Sequence, residues 1–371
     1  MRLGFDAKRL FLNDRGLGNY ARNLLYGLVK YHPQHEYFLY TPKQHGKLVD
    51  EKFLADSQVQ VRLPAGMGRV LSAYWRSGQL GRVAARDGVQ VWHGLSQELP
   101  ADIIRVDVKS VVTVHDLIFL RHPEFYKPLD RWIYLKKVKW AVQHADKVVA
   151  ISQQTRQDVL ETFTLPPDRV QVIYQSCHEV FYEKRSAQEC QQVRAKWRLP
   201  QQYMLYIGAL NENKNVLVIL QAMRQLKGKL DLPLVIVGHG EAYKRKLLAY
   251  AQKHGLEKQL YFASEIANPA PRELSAFYQM AEVFIFPSFY EGFGIPILEA
   301  RFSGTPVVAS NSSCLHEAGG ESSYYFNLAD SEELAGQLLK ILAARPSTGS
   351  GLEKFLIERL AAEWIALYNN L

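Results

Sequence analysis

Two glutamates stand close together in a segment that could bind a phosphorylated sugar. Glu291 and Glu299 enclose a glycine-rich turn, which lets the backbone approach a ligand closely, and Pro296, which suits the start of a helix. The free N–H groups of such a helix start would hold a phosphate. A carboxylate accepts two hydrogen bonds at once, which suits a vicinal diol. The segment therefore predicts a phosphate cradle between two diol-binding carboxylates, formed by Glu291, Gly292, Phe293, Gly294, Ile295 and Glu299. A capped helix with solvated glutamates fits the same residues.

Four further candidates lie near the ends of predicted strands. His115 directly follows the apolar run Ser110–Val114, where open α/β sheets bind their ligands, although a histidine there could equally form a helix cap. Gly208 ends the run that begins at Tyr203. Gly16 and Gly18 follow the first strand, where they would either approach a phosphate or form a plain tight turn.

The chain contains no Asp-x-Asp sequence and no cluster of His and Asp at the spacing of metal ligands. We therefore expect no metal and no cofactor, so that a lysine and helix dipoles would have to hold a diphosphate.

Short apolar runs alternate with helical patterns along the chain, which is typical of parallel sheets flanked by helices. The first predicted helix, Asn19–Lys30, places its apolar residues on one face. The predicted strands are Met1–Phe5, Tyr37–Tyr40, Val59–Leu63, Val89–His93, Ser110–Val114, Lys147–Ala150, Val170–Ile173, Tyr203–Gly208, Leu234–Gly238, Leu260–Phe262, Val283–Phe286 and Pro306–Ala309. These runs fall into two series, which predict two doubly wound α/β domains.

The length of 371 residues suits two domains. We place the first domain at residues 1–182, a polar linker at 183–200, the second domain at 201–345 and a closing amphipathic helix at 352–371, which could pack back on the first domain. With no run of about 18 apolar residues, no signal-like start and only three scattered cysteines, the chain is expected to be a cytoplasmic protein.

Charge is distributed unevenly over the two halves. The formal net charge is +8, of which residues 1–190 carry +7, from 27 Lys and Arg against 20 Asp and Glu. A basic first half indicates either an anionic partner or an ordinary soluble surface. No nucleic-acid recognition motif accompanies it, so we do not expect a nucleic-acid partner.

The segment Asp130–Ala145 combines tryptophan with lysine. Its predicted core face carries Tyr134, Leu135, Val138, Ala141, Val142 and Ala145, whereas Trp132, Trp140 and three lysines fall largely on the opposite side. Such a face suits an anionic membrane surface, although the tryptophans could instead pack against the loop Phe119–Phe125. The first interpretation would make the protein peripheral at the inner face of the cytoplasmic membrane.

The order and spacing of these motifs resemble glycosyltransferase family 4, the retaining group 1 glycosyltransferases with the GT-B fold. Glu291 and Glu299 match its E-x7-E motif. The segments at 5–10 and 16–20 match its amino-terminal signature, and the segment at 112–117 matches its central His-Asp strand end. Gly208 with Lys214-Asn215, and the segment at 303–307, match its donor-domain motifs. The resemblance covers essentially the whole chain and implies two Rossmann-like domains facing each other across a cleft.

The resemblance also implies roles for individual residues. Glu299 would hold the ribose of a nucleotide, Glu291 would contact hydroxyls of the donor sugar, and His115 would help to orient the reacting bond. Lys214 would pair with the pyrophosphate and stabilise the charge that grows on the leaving group, although a solvated surface lysine is the plain alternative.

The sequence departs from the family pattern at one basic residue. The family commonly has an arginine next to the glycine of the Gly208 motif or just before the lysine, where this chain has Ala209 and Asn213. Charge-assisted hydrogen bonds contribute about 1.5–3 kcal/mol each, so another group, for example Arg15, would have to replace it, or donor binding would be weak.

The activity that the resemblance implies is metal-independent hexosyl transfer with retention, in surface polysaccharide biosynthesis such as that of O-antigen. The donor would be a nucleotide sugar, with GDP-mannose as the first expectation and a UDP-sugar as the second. The acceptor would be a glycan or a lipid-linked saccharide. Two alternatives stay open: a sugar-nucleotide epimerase on the same fold, and a catalytically silent nucleotide-sugar-binding or scaffold protein.

Overall fold

The computed structural model describes residues 1–44, 48–66, 71–312 and 314–371, which divide into two compact units. The first unit comprises Met1–Ser176 and Glu353–Leu371, and the second comprises Cys177–Leu352. The predicted boundary at 182/183 lies six residues further along the chain than the observed one.

The first unit contains a seven-stranded parallel sheet with strand order β3-β2-β1-β4-β5-β6-β7. Its strands are β1 (Arg2–Asp6), β2 (Glu36–Tyr40), β3 (Val59–Arg62), β4 (Val91–Gly94), β5 (Lys109–Val114), β6 (Lys147–Ala150) and β7 (Val170–Val172). Its helices up to the boundary are α1 (Lys8–Leu12), α2 (Gly16–Tyr31), α3 (Glu51–Leu54), α4 (Ser72–Gly78), α5 (Leu80–Arg86), α6 (Ile118–Arg121), α7 (Pro128–His144) and α8 (Gln153–Phe163).

The second unit contains a six-stranded parallel sheet with strand order β10-β9-β8-β11-β12-β13. Its strands are β8 (Met204–Ile207), β9 (Leu234–Val237), β10 (Leu260–Phe262), β11 (Val283–Phe286), β12 (Val307–Ser310) and β13 (Tyr324–Phe326). Its helices are α9 (Ala187–Trp197), α10 (Leu217–Leu226), α11 (Glu241–His254), α12 (Pro271–Met280), α13 (Ile295–Phe302), α14 (Leu315–Gly319) and α15 (Ser331–Ala344).

Both sheets are doubly wound and parallel, as the alternating pattern predicted. The central strands are buried on both faces, which is why they read as continuous apolar runs. In each sheet the strand order reverses beside the first strand, between β1 and β4 in the first unit and between β8 and β11 in the second. Ligands of open α/β sheets bind at such reversal points, outside the carboxyl ends of the strands.

The closing helix α16 (Ile357–Asn369) belongs to the first unit, as expected from its amphipathic pattern. It packs on α2, where a side chain at Gly27 would collide with Ile357. Trp364 and Tyr368 are buried in the core of the first unit, and the Tyr368 hydroxyl lies 2.7 Å from Nδ1 of the buried His93.

Residues 183–200, predicted to be a linker, lie in the second unit and contain α9. Ser186 and Glu189 form a capping box at its start, and Trp197 is buried where α9 packs on α12. The polar composition reflects a helix with one buried edge, and the difference from the prediction arises because only a few of its residues need to be apolar.

In the part of the chain that the structure describes, no helix is long and apolar enough to cross a membrane.

Candidate active site

The reversal point of the second sheet brings together two loops that carry predicted site residues. The loop after β8 contains Gly208 and a short 3-10 turn that ends at Lys214, and the loop after β11 contains Glu291. The Lys214 ammonium forms an ion pair with Oε1 of Glu291, and both side chains are mostly buried, at 19% and 17% exposure. A lysine and a carboxylate that are far apart in the sequence therefore meet where this fold binds ligands.

Asn213 joins these two loops. Its side-chain Nδ2 donates to the Tyr290 carbonyl at 3.0 Å, and its own carbonyl accepts from the Phe289 N–H at 2.8 Å. At this position, where the family commonly has an arginine, the chain has a residue that holds the lysine loop and the Glu291 loop together.

The glycine at the end of β8 is needed for close packing. A Cβ atom at Gly208 would lie 2.7 Å from the Tyr206 hydroxyl, and one at Gly238 would lie 1.8 Å from the Gly208 carbonyl oxygen. The Tyr206 hydroxyl donates to the Ala209 carbonyl at 2.8 Å, which fixes the start of the loop.

Helix α13 begins immediately after the glycine-rich turn. Gly294 precedes its first residue with φ at +108°, in the left-handed region that favours glycine, and Pro296 occupies the first turn. Gly292 and Ile295 are half-buried, while Phe293 is buried and anchors the turn. Within this turn and the first turn of α13, the Ile297 N–H bonds to the Gly294 carbonyl. The arrangement is the predicted strand, turn and proline-initiated helix.

Glu299 lies in the middle of α13 and is buried, with 9% of its surface exposed. Its Oε2 accepts a hydrogen bond from the buried Tyr278 hydroxyl at 2.8 Å. Burial raises the pKa of Glu299 to about 7, and the bond from Tyr278 opposes this rise. Glu291 and Glu299 thus occupy different environments: Glu291 is paired with a lysine, and Glu299 is able to hold a proton near neutral pH.

His115 lies in the first unit, directly after β5, and is 5% exposed. Its Nε2 lies 2.8 Å from the Leu95 carbonyl oxygen, which requires a proton on Nε2, and its Nδ1 lies 3.1 Å from Nε2 of Gln175. The Tyr20 ring packs edge-on against it at 4.7 Å. Burial lowers the pKa of His115 to about 4, so the imidazole is neutral at pH 7.

Gly16 and Gly18 do not lie in a loop between β1 and the first long helix, because α2 begins at Gly16. Gly16 is exposed and has open space around it, whereas a Cβ atom at Gly18 would lie 1.8 Å from the Asn13 carbonyl oxygen. The Gly18 N–H is instead bonded to the Asn13 side chain at 3.3 Å. Gly18 therefore permits tight packing of the turn against the helix. Arg15 immediately precedes α2 and is exposed.

The positions of the candidates thus fall into two groups. Lys214, Gly208, Glu291, Gly292, Phe293, Gly294, Ile295 and Glu299 lie in the second unit, and His115, Gly16 and Gly18 lie in the first. Tyr278, Asn213 and Gln175, which contact these candidates, were not predicted. Tyr278 and Gln175 lie in no recognisable motif, and the sequence marks Asn213 only as a departure from the family pattern. Among the described residues, no group of three His, Cys, Asp or Glu side chains could hold a metal ion.

Both units match the sequence profiles of known protein families. Residues 15–176 match the sequence profile of Glycosyltransferase Family 4, and residues 189–350 match that of Glycosyl transferases group 1. Together the two profiles take in most of the chain. The chain belongs to the group 1, family 4 glycosyltransferases.

Among its relatives are mannosyltransferases of Escherichia coli. The chain is 31% identical over 256 residues to O-antigen chain mannosyltransferase B, an alignment that covers 68% of this chain and 65% of the relative. It is 33% identical over 252 residues to the serotype-specific mannosyltransferase WbdA, covering 66% of this chain and 30% of WbdA. The alignments therefore span less than two thirds of the length of either relative.

Solved structures agree on the fold over the entire chain. Sucrose-phosphate synthase from Thermosynechococcus elongatus matches with a TM-score of 0.76 at 20% identity, covering 100% of this chain and 98% of that one. Anabaena HepE in complex with UDP-glucose matches with a TM-score of 0.74 at 16% identity, covering 100% of both chains. The fold class predicted from the sequence, GT-B, is confirmed.

Proposed function

We propose that this protein is a retaining mannosyltransferase that moves mannose from GDP-mannose to a growing surface glycan such as O-antigen. The observation that carries the proposal is the Lys214–Glu291 pair at the reversal point of the second sheet, in a chain whose relatives include O-antigen mannosyltransferases. A UDP-sugar is the second donor candidate, because Anabaena HepE was solved with UDP-glucose.

The second unit would hold the donor. Lys214 would leave its pair with Glu291 and bind the diphosphate, so that its charge stabilises the leaving nucleoside diphosphate. Glu291 would then accept hydrogen bonds from hydroxyls of the sugar. The positive end of the α13 helix dipole would face the phosphates, and Glu299 would accept hydrogen bonds from the ribose.

The proposed chemistry needs no protein nucleophile and no bound metal. The C1–O bond to the diphosphate breaks as the acceptor oxygen bonds to C1 on the same face of the sugar, and the acceptor proton passes to the leaving phosphate. His115, which is neutral and has its Nε2 proton bonded to Leu95, would orient the reacting groups and would not supply the proton.

The α7 helix supports peripheral binding to an anionic membrane. Leu129, Trp132 and Ile133 are exposed at 67%, 54% and 37% and lie at the i, i+3, i+4 spacing of one helix face. The Lys136 ammonium lies 3.7 Å from the centre of the Trp132 ring. An apolar face bordered by lysines is complementary to anionic headgroups above acyl chains. The acceptor would then be lipid-linked.

A transfer assay tests the proposed function. We expect labelled mannose to pass from GDP-mannose to a lipid-diphosphate-linked mannoside, with at least a 100-fold loss of turnover in Glu291→Ala. Glu212→Ala is a matched control, because Glu212 pairs with a lysine on the exposed surface of the same unit. Conversion of the donor without an acceptor would indicate an epimerase. No transfer from either GDP-mannose or a UDP-sugar would contradict the proposal.

A further inference from the structure

The first unit has its own group of charged side chains at the reversal point between β1 and β4. Asp6 ends β1, and Arg76 of α4 donates from Nε to both of its carboxylate oxygens, at 2.9 and 3.2 Å. Arg76 also pairs with Glu98 in the loop after β4, and Lys137 of α7 contacts the other oxygen of Glu98 at 3.1 Å. Within this network two carboxylates balance two cations.

Two further cations adjoin this network and form no direct ion pair with any residue that the structure describes. Lys8 and Arg9 directly follow the turn after β1, and both are half-buried. The Lys8 ammonium makes no hydrogen bond or ion pair with any residue that the structure describes. The same holds for the Arg9 guanidinium within residues 1–44, 48–66, 71–312 and 314–371, and its Nε is completely buried without a partner.

The charged form of Lys8 is disfavoured at this place. Burial lowers the pKa of Lys8 and the positive charges of Arg76 and Arg9 lower it further, against the smaller opposing effect of the Glu98 and Asp6 carboxylates. Arg9 also lies close enough to His115 to lower the pKa of that imidazole. Unpaired, partly buried like charges cost free energy, and their presence where an α/β sheet binds ligands indicates that a negative charge completes the site.

We propose that Lys8 and Arg9 bind a phosphate-type anionic group of a substrate at the β1/β4 reversal point. This inference rests on the proposed function for its substrates. The group has two sources, the diphosphate of a lipid-linked acceptor and the diphosphate of the donor. The ion pairs from Arg76 through Glu98 to Lys137 connect the site to α7, whose exposed apolar face suits a lipid, so the acceptor is the favoured source.

Inorganic pyrophosphate serves as the probe in a calorimetric titration. The titration uses the full chain carrying Lys214→Ala, so that the lysine of the proposed donor site is absent. We expect the Kd for pyrophosphate to rise at least 10-fold when Lys8→Ala and Arg9→Ala are added, since each removes a charge-assisted contact. Arg82→Ala with Arg86→Ala is the matched control, because both arginines are exposed on α5 of the same unit, and it should change the Kd less than twofold.

Steady-state kinetics of the Lys8→Ala/Arg9→Ala variant, with Lys214 intact, identify which substrate supplies the anionic group. A higher KM for the lipid-diphosphate acceptor, with an unchanged KM for the donor in acceptor-free hydrolysis, assigns the site to the acceptor, and the reverse assigns it to the donor. Unchanged pyrophosphate affinity overturns the proposal. Unchanged KM values for both substrates overturn it as well, because Lys8 and Arg9 would then form only an adventitious anion site. The titration does not depend on turnover, so it separates this failure from a failure of the proposed function.

Discussion

The carboxyl group of Glu299 lies in surroundings that favour its protonated form. The side chain is buried on α13, with the Tyr278 hydroxyl 2.8 Å from Oε2, and burial raises its pKa to about 7 from an ordinary value of 4.5. Between pH 4.5 and pH 7, Glu299 therefore keeps its proton in the folded chain, whereas the same group in the unfolded chain has lost it. Stability that this proton provides is complete below pH 4.5 and is lost as the pH rises through 7.

The substitution Glu299→Gln removes this titration and keeps an acceptor for Tyr278. We expect the variant to gain about 2 kcal/mol of unfolding free energy relative to the unsubstituted protein between pH 5.5 and 8.5, at about 1.4 kcal/mol per pKa unit. Denaturant titrations at the two pH values measure the change. A constant difference between the two proteins at both pH values would mean that Glu299 does not titrate in this range.

Residue identities at the candidate site could be read from the sequence, but their contacts could not. The E-x7-E spacing and the lysine after β8 were recognisable because they carry chemistry at fixed positions. The pairing of Lys214 with Glu291 depends on the lateral order of β8 and β11, which no local pattern encodes. The bond from Tyr278 to Glu299 joins two helices and likewise has no local signal.

At the level of elements, α7 shows how well helical periodicity predicts which residues are buried. Val138, Ala141, Val142 and Ala145 are buried as predicted, whereas Tyr134 is 45% exposed although it was assigned to the core face. The error arises because the buried residues of α7 all lie in its second half. Trp140 is half-buried and stacks on His144 at 4.6 Å, and Trp132 is exposed, so the two tryptophans differ in environment.

The exposed face of α7 provides a direct test of membrane binding. We expect the protein to co-sediment with vesicles containing phosphatidylglycerol, and Leu129→Ala with Trp132→Ala to reduce the bound fraction at least fivefold, because both side chains would enter the interface. Leu339→Ala on α15, which removes an exposed leucine from the second unit, is the control. Equal binding of both variants would exclude this face as the membrane contact.

Strand positions were largely predictable. Buried parallel strands form short apolar runs that stand out from the helices between them, so runs such as Lys147–Ala150 and Val283–Phe286 coincide with β6 and β11. Strand β13 was not predicted, although β7 and β10, which are equally short and also lie at sheet edges, were. The helix α9 was missed in spite of a readable Ser-x-x-Glu capping box, because its polar composition resembles a linker.

On the scale of the whole molecule, the two doubly wound units have different charge at their strand-order reversal points. At the β8/β11 reversal point Lys214 and Glu291 neutralise each other, and at the β1/β4 reversal point Lys8 and Arg9 form no direct ion pair with a described residue. This difference accounts for part of the +7 balance of residues 1–190. We interpret this difference in terms of two sites. At the β8/β11 site the donor would replace the Lys214–Glu291 ion pair, and at the β1/β4 site an anionic group would bind Lys8 and Arg9.

The central claim is that the Lys214–Glu291 pair marks the nucleotide-sugar site, and calorimetric titration of GDP-mannose into the full chain tests it most directly. Lys246→Ala is the control, because Lys246 pairs with Glu212 at 3.0 Å in an exposed position of the same unit. We predict that Lys214→Ala weakens GDP-mannose binding at least 10-fold, while Lys246→Ala changes it less than twofold. Equal affinity of the Lys214→Ala variant and the unsubstituted protein would contradict the account.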